Sequence, residues 1–236
     1  MVELIKSKLQ EKSQPQKKEI YPKFFKAGKG EYAEGDEFIG VVVPDQRKIA
    51  KEFYSKISIE ELKHLLSSKI HEHRQCALFM LVEKYEKAAD FQQKEELVSF
   101  YLRNIPHINN WDLVDCSCYK ILGNFCFEKK DDQILRELTA VNHLWSQRIA
   151  VVATMYHVKK GSFELVKELV LKNLYHSHDL MHKANGWLLR EMGKKDEPEL
   201  LDFLTKYYHK MPRTTLRYAL EKLNENLRQD FLKARI

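Results

Sequence analysis

Cysteine is scarce in this chain of 236 residues: Cys76, Cys116, Cys118 and Cys126 are the whole complement, and no two form a C-x-x-C pair. Three of the four fall in one apolar stretch with helical spacing, so reduced, buried thiols in a cytoplasmic protein are expected. Glycine and proline are also few, at 8 and 6 residues, which argues against an all-β fold with many tight turns. No run of about 18 apolar residues exists and the N-terminus lacks an apolar signal core, so no membrane span is expected. Motifs of phosphate and hydrolytic chemistry are missing too. There is no G-x-x-x-x-G-K-[ST] loop and no G-x-S-x-G elbow. The segment from His178 to His182 has Asp, not Glu, at its second position, so it is not a zinc-binding H-E-x-x-H. His176, His178 and His182 are read as surface or capping residues, as are His71 and His73, and no metal site is expected.

What is present points to helices. Apolar residues make up 44% of the chain and charged residues 31%, with 40 basic against 34 acidic side chains and a net charge of +6. That balance suits a globular protein with solvated helix faces, and it allows a polyanion partner without requiring one. Apolar side chains recur at i, i+3, i+4 and i+7 or i+8, as in Leu62, Leu65, Leu66 and Ile70, or Val166, Leu169, Val170 and Leu174. The longest irregular piece runs from Tyr21 to Val43. Its β-like end, Phe38 to Val43, stops at Pro44 and is read as an extended connector leading into a helix. Beyond Pro44, longer helices are expected to begin near His73, Trp111, Trp145, His182 and Thr215, roughly 33 to 38 residues apart, the spacing of helical-pair repeats. The expected architecture is all-α, a curved solenoid of antiparallel helical repeats in one domain over residues 1–236. Residues 1–43 would form N-terminal helices and the connector, and residues 44–236 the repeat array.

Within that frame the segment from Ile108 to Asp115 stands out. A helix starting there puts Trp111 and Asp115 on one face, one turn apart, with Asn109 and Asn110 ahead as candidate caps. An aromatic wall beside a fixed carboxylate suits a cationic, ring-shaped group. Asp112 is read as serving the helix dipole, while Asp115 in the second turn has a weaker claim to that role. Trp111, Arg148 and Trp187 lie at nearly equivalent places in successive repeats, 37 and 39 residues apart, so they could project to one side. Packing alone could also explain the two tryptophans, and an ion pair could explain Arg148.

At these residues the chain resembles the AlkD-type DNA alkylation repair glycosylases, an armadillo-type fold of HEAT-like repeats. The resemblance runs through Phe24 to Tyr32, Gly35 to Pro44, Asn109 to Asp115, Trp145 to Ala150, His182 to Glu191 and Met211 to Ala219. It implies a monomeric, monofunctional hydrolase of base excision repair. Such an enzyme removes cationic N3- or N7-alkylated purines from double-stranded DNA with no metal or cofactor and without flipping the base into a pocket. The catalytic carboxylate then maps onto Asp115, the sugar-contacting tryptophans onto Trp111 and Trp187, and the phosphate-binding arginine onto Arg148. Lys183, Arg190 and Arg217 would add sequence-independent affinity for DNA. Val42 stands where many relatives have a polar or basic residue, which puts a DNA contact from the connector in doubt. Asn185 and the Cys116-Ser117-Cys118 run read as packing variation. The competing reading is a non-catalytic helical-repeat module that binds DNA or protein.

Overall fold

The computed structural model describes residues 1–236. It is all-α: no strand forms, and one isolated β-bridge joins Glu37 to Ile70. No helix is long and apolar enough to cross a membrane. The chain divides into two compact units, Met1–Ser117 and Cys118–Ile236.

In the first unit the helices are α1 (Val2–Glu11), α2 (Pro15–Phe24), α3 (Val43–Phe53), α4 (Ile59–Leu66), α5 (His71–Glu86), α6 (Phe91–Arg103) and α7 (Trp111–Cys118), whose last residue falls in the second unit. Local chemistry sets several of these boundaries. Ser58 and Glu61 form a reciprocal capping box on α4, with bonds of 3.1 and 3.0 Å. Asp90 caps α6 by accepting from the Gln93 N–H at 2.8 Å. α4 buries Leu62, Leu65 and Leu66, as its spacing predicts, while Ile70 lies past the helix end and is only half-buried. α3, α4 and α6 pack around α5. That helix has no solvated stripe, since every residue from His71 to Val82 is buried. A helix buried on all sides belongs at the centre of its unit.

The irregular stretch begins later than the sequence suggests, because Tyr21 to Phe24 continue α2 despite Pro22. Pro22 lies far enough along to give up a donor while its neighbours remain bonded, as shown by the Phe25 N–H on the Tyr21 carbonyl at 2.8 Å. The extended connector then leads into α3 as expected. Three of its backbone N–H groups, from Ile39, Gly40 and Val41, donate to the buried Glu72 carboxylate at 2.7–3.2 Å. Gly40 has φ of +82°, and a methyl group there would lie 2.4 Å from the Gln14 carbonyl oxygen, so only glycine fits.

The second unit opens with a π-helical turn (Tyr119–Gly123). It continues through α8 (Asn124–Lys129), α9 (Gln133–Ala140), α10 (Leu144–Ala153), α11 (Met155–Lys159), α12 (Glu164–Lys172), α13 (Asp179–Lys195), α14 (Glu197–Tyr207), α15 (Arg213–Ala219) and α16 (Glu225–Leu232). α13 is its centre and packs against α10, α11, α12, α14 and α15. The five predicted helix starts fall within three residues of the starts of α5, α7, α10, α13 and α15, but α15 is short and ends at Ala219.

Two glycines let elements of the second unit approach closely. A methyl group at Gly123 would lie 2.1 Å from the Ala153 carbonyl oxygen, and one at Gly186 would lie 2.5 Å from the Thr215 carbonyl oxygen. Both obstacles are backbone, which cannot rotate aside. Gly123→Ala and Gly186→Ala are each expected to cost about 1–3 kcal/mol, the scale of overpacking a tight contact. Urea titration checks this; a midpoint equal to that of the unsubstituted protein for either variant would mean that the contact is loose.

Candidate functional site

α7 is open on one stripe. Asp112, Leu113, Val114, Ser117 and Cys118 are buried, whereas Trp111, Asp115 and Cys116 are half-exposed. Trp111 and Asp115 thus share the accessible face, one turn apart. The helix start is fixed by Asn110, which is fully buried. Its Oδ1 accepts from the Trp111 N–H at 2.8 Å and its Nδ2 donates to the Phe25 carbonyl at 3.2 Å. Asn109, expected as a second cap, instead donates to Asp36 at 3.2 Å and accepts from Arg74 at 3.0 Å. The indole of Trp111 stacks on Phe25 at 5.7 Å between centroids and meets the edge of Phe24 at 5.9 Å. Phe24 itself is 57% exposed.

Behind this face lies a buried charge cluster. His71, expected at the surface, is 1% exposed. Its Nε2 is 2.8 Å from Asp112 Oδ2 and its Nδ1 is 3.3 Å from Asp36 Oδ2. Arg74 Nη2 donates to Asp36 at 2.6 Å, and Gln75 donates to Asp112 at 2.7 Å. Burial disfavours the charged imidazole, yet the charge of Asp112 and hydrogen bonds to Asp112 and Asp36 outweigh it and raise the His71 pKa to about 9. Burial alone would raise the Asp36 carboxyl, but hydrogen bonds from His71 and Asn109 and the Arg74 charge hold it below the usual carboxylate range. His73, two residues on, is also buried rather than superficial, with its Nδ1 3.0 Å from the Ser68 hydroxyl. Lacking a carboxylate so close, its ring is pushed down to about 4 by burial and by the Lys6 charge. The reason for both departures is one helix: α5 is enclosed on all sides, so even its polar first turn goes inside.

The other predicted residues lie in the second unit. Arg148 in α10 is 4% exposed, and its Nη1 donates to the Leu180 carbonyl in the first turn of α13. Trp187 is half-exposed on α13, on the same accessible stripe as Lys183 and Arg190. Lys183 pairs with Asp179 at 2.7 Å, and Arg190 pairs with Glu221 and with Glu191. Arg217 on α15 is exposed. The expected capping role holds for His178, which accepts from the Leu180 N–H at 3.1 Å. His176 and His182 are half-buried: His176 contacts Gln147 at 2.8 Å, and His182 donates to the His176 carbonyl at 2.6 Å. No group of three or more His, Cys, Asp or Glu side chains is arranged to hold a metal ion. All four cysteines are free thiols, and only Cys116 is not fully buried. Burial pushes the Cys76 and Cys126 thiols up to about 12.

Sequence reasoning missed Asp36, His71, Arg74 and Phe25 as parts of one cluster. A signal does exist for the helix. The polar run His71 to Gln75 is followed without a turn residue by the continuous apolar run Cys76 to Val82, and so lacks the alternating faces of a surface helix.

The family model described as DNA alkylation repair enzyme matches residues 5–223, and the chain belongs to that family. A solved structure described as a predicted DNA alkylation repair enzyme from Enterococcus faecalis is similar over 91% of this chain and 98% of its own, with a TM-score of 0.68 and 14% sequence identity. At that identity the likeness is one of fold. No curated protein matches the chain.

The His71 charge has a consequence for stability. Below the unfolded-state pKa, about 6.5, the ring is charged in both states and its pairing contributes in full. As pH rises from there through about 9, the folded-state value, that contribution is lost. Urea unfolding between pH 6 and 10 should show this decline, and His71→Gln should flatten it while costing on the order of 3–5 kcal/mol near neutral pH, the scale of breaking a buried pair. An equally steep decline in the variant would show that another group titrates.

Proposed function

We propose that the chain is a monofunctional DNA glycosylase that hydrolyses the N-glycosidic bond of cationic N3- or N7-alkylated purines in double-stranded DNA. In this reading its helices form HEAT-like repeats, with Trp111 and Asp115 supplied by the first unit and Arg148 and Trp187 by the second. Membership of the DNA alkylation repair family supports the substrate class. The observation that carries the chemistry is the open stripe of α7, where the carboxylate of Asp115 and the indole of Trp111 are accessible together while Asp112 is buried in a structural network.

An alkylated N3 or N7 makes the purine a cation, so it leaves as a neutral base with the electron pair of the C1′–N bond and needs no proton. Positive charge then develops on the deoxyribose. The Asp115 carboxylate opposes that charge, orients the water whose oxygen bonds to C1′, and passes the proton that this water loses to solvent. The faces of Trp111 and Trp187 carry negative quadrupole density and favour a cationic sugar. The resemblance gives Arg148 a backbone phosphate, which would fix the lesion in register; in the free protein that guanidinium is almost wholly buried and donates to the Leu180 carbonyl. Lys183, Arg190 and Arg217 provide charge along the DNA; for Lys183 and Arg190 a phosphate replaces the carboxylates that pair with them in the free protein.

Asp115→Asn should bind methylated duplex as the unsubstituted protein does but release 7-methylguanine on the order of 10²-fold more slowly, the scale of losing one electrostatic stabiliser. Wild-type release by that variant would remove Asp115 from the mechanism. If the unsubstituted protein releases no base yet binds DNA in a salt-sensitive way, the fold serves binding alone.

A further inference from the structure

We propose that His71 is a positioning residue for the site: locked at both ring nitrogens, it sets the orientation of the Trp111 indole through the ring of Phe25. The catalytic part of this proposal rests on the glycosylase reading above.

His71 touches neither Trp111 nor Asp115 through a hydrogen bond, yet two routes run from it to the start of α7. The first is polar. Its Nε2 meets Asp112 Oδ2 at 2.8 Å, and the other oxygen of that carboxylate accepts from the Leu113 N–H at 2.9 Å. The second route is aromatic. The imidazole stacks on Phe25 at 4.7 Å with planes 27° apart, and Phe25 stacks on Trp111 at 5.7 Å, again at 27°. Phe38 stacks on both His71 and Phe25, at 5.0 and 5.4 Å, so Phe25 has little room to slide.

The anchor of both routes is rigid. Both His71 carboxylate partners are themselves held, Asp112 by Gln75 at 2.7 Å and Asp36 by Arg74 at 2.6 Å and Asn109 at 3.2 Å. The imidazole is therefore fixed along two edges and cannot turn, and Phe25 inherits its plane. The Phe25 backbone is tied to the same helix end, since its carbonyl accepts from Asn110. A residue needed only to fill space between Phe25 and Phe38 would be cheaper as an apolar ring, because a buried charge must recover its desolvation cost from its partners. What a charged ring adds is a fixed orientation, and the group that benefits is a half-exposed indole otherwise free to tilt on the surface. A misplaced contact of this kind is felt in the chemical step more than in binding.

The test compares His71→Gln with Leu62→Ala, a variant in α4 that removes a fully buried side chain and no part of the cluster. Two quantities are read: single-turnover release of 7-methylguanine beside the Kd for methylated duplex, and acrylamide quenching of Trp111 in a Trp145→Phe/Trp187→Phe background. For His71→Gln, release should fall on the order of 10-fold with Kd unchanged, and quenching should rise. Leu62→Ala, at an equal or greater loss of stability, should move neither. Phe25→Leu, which keeps both ion pairs, should reproduce the effect and carries the test if His71→Gln does not fold. Unchanged quenching and release in the folded variants would overturn the proposal, as would changes no larger than those of Leu62→Ala. If the unsubstituted protein releases no base, the glycosylase reading fails, and the quenching comparison alone decides whether His71 orients Trp111.

Discussion

A charge taken out of water has to be met on every side, and the first turn of α5 puts several charges out of water at once. Glu72, His71 and Arg74 are all buried, so each demands partners from elsewhere in its unit. Glu72 takes the backbone N–H groups of the connector; His71 takes Asp36 from the loop and Asp112 from α7; Arg74 takes Asp36 and Asn109. Elements far apart in sequence are thereby held at fixed places by a requirement for neutralisation and hydrogen bonding. Hydrophobic contact by itself tolerates sliding, whereas a bidentate set of polar contacts does not. This first unit is consequently organised around a polar centre inside an apolar one.

The same logic separates the two aspartates of α7. Asp112 and Asp115 are three residues apart and chemically alike, but one is committed to His71, Gln75 and the Leu113 amide, while the other stands on the accessible stripe. The division depends on the helix being half-buried at its first turn, which orients one carboxylate inward and the next outward.

How much of this was legible in the sequence follows from the range of the forces involved. Helix starts at His71, Trp111, Leu144, Asp179 and Arg213 could be placed to within three residues because apolar spacing and capping residues act over a single turn. The pairing of Trp111 with Asp115 was legible for the same reason. The partners of His71 were not, since they lie 35 and 41 residues away and leave no local trace, although the apolar run after Gln75 marks α5 as an enclosed helix. Phe25 was hidden in a stretch read as irregular, where aromatic contacts follow from the path of the chain and not from periodicity. The start of that stretch was placed at Tyr21, whereas α2 continues past Pro22 to Phe24. Arg190 shows the remaining gap: its charge was evident, but its pairing with Glu221 depends on the approach of α13 to α15 that Gly186 permits.

The π-helical turn from Tyr119 to Gly123 bears on how relatives of this protein are to be compared. Such a turn closes its hydrogen bonds over five residues instead of four, so it holds one residue more than an ordinary helical turn. A relative with regular helix at this place would match the chain in space only if its sequence were shifted by one position beyond Gly123. An alignment carried straight through the turn would set Trp145, Arg148 and Trp187 against neighbours of their true counterparts, and would understate the identity of the second unit while leaving the first intact. Against a structure only 14% identical, a single surplus residue can decide whether two sites are seen as the same.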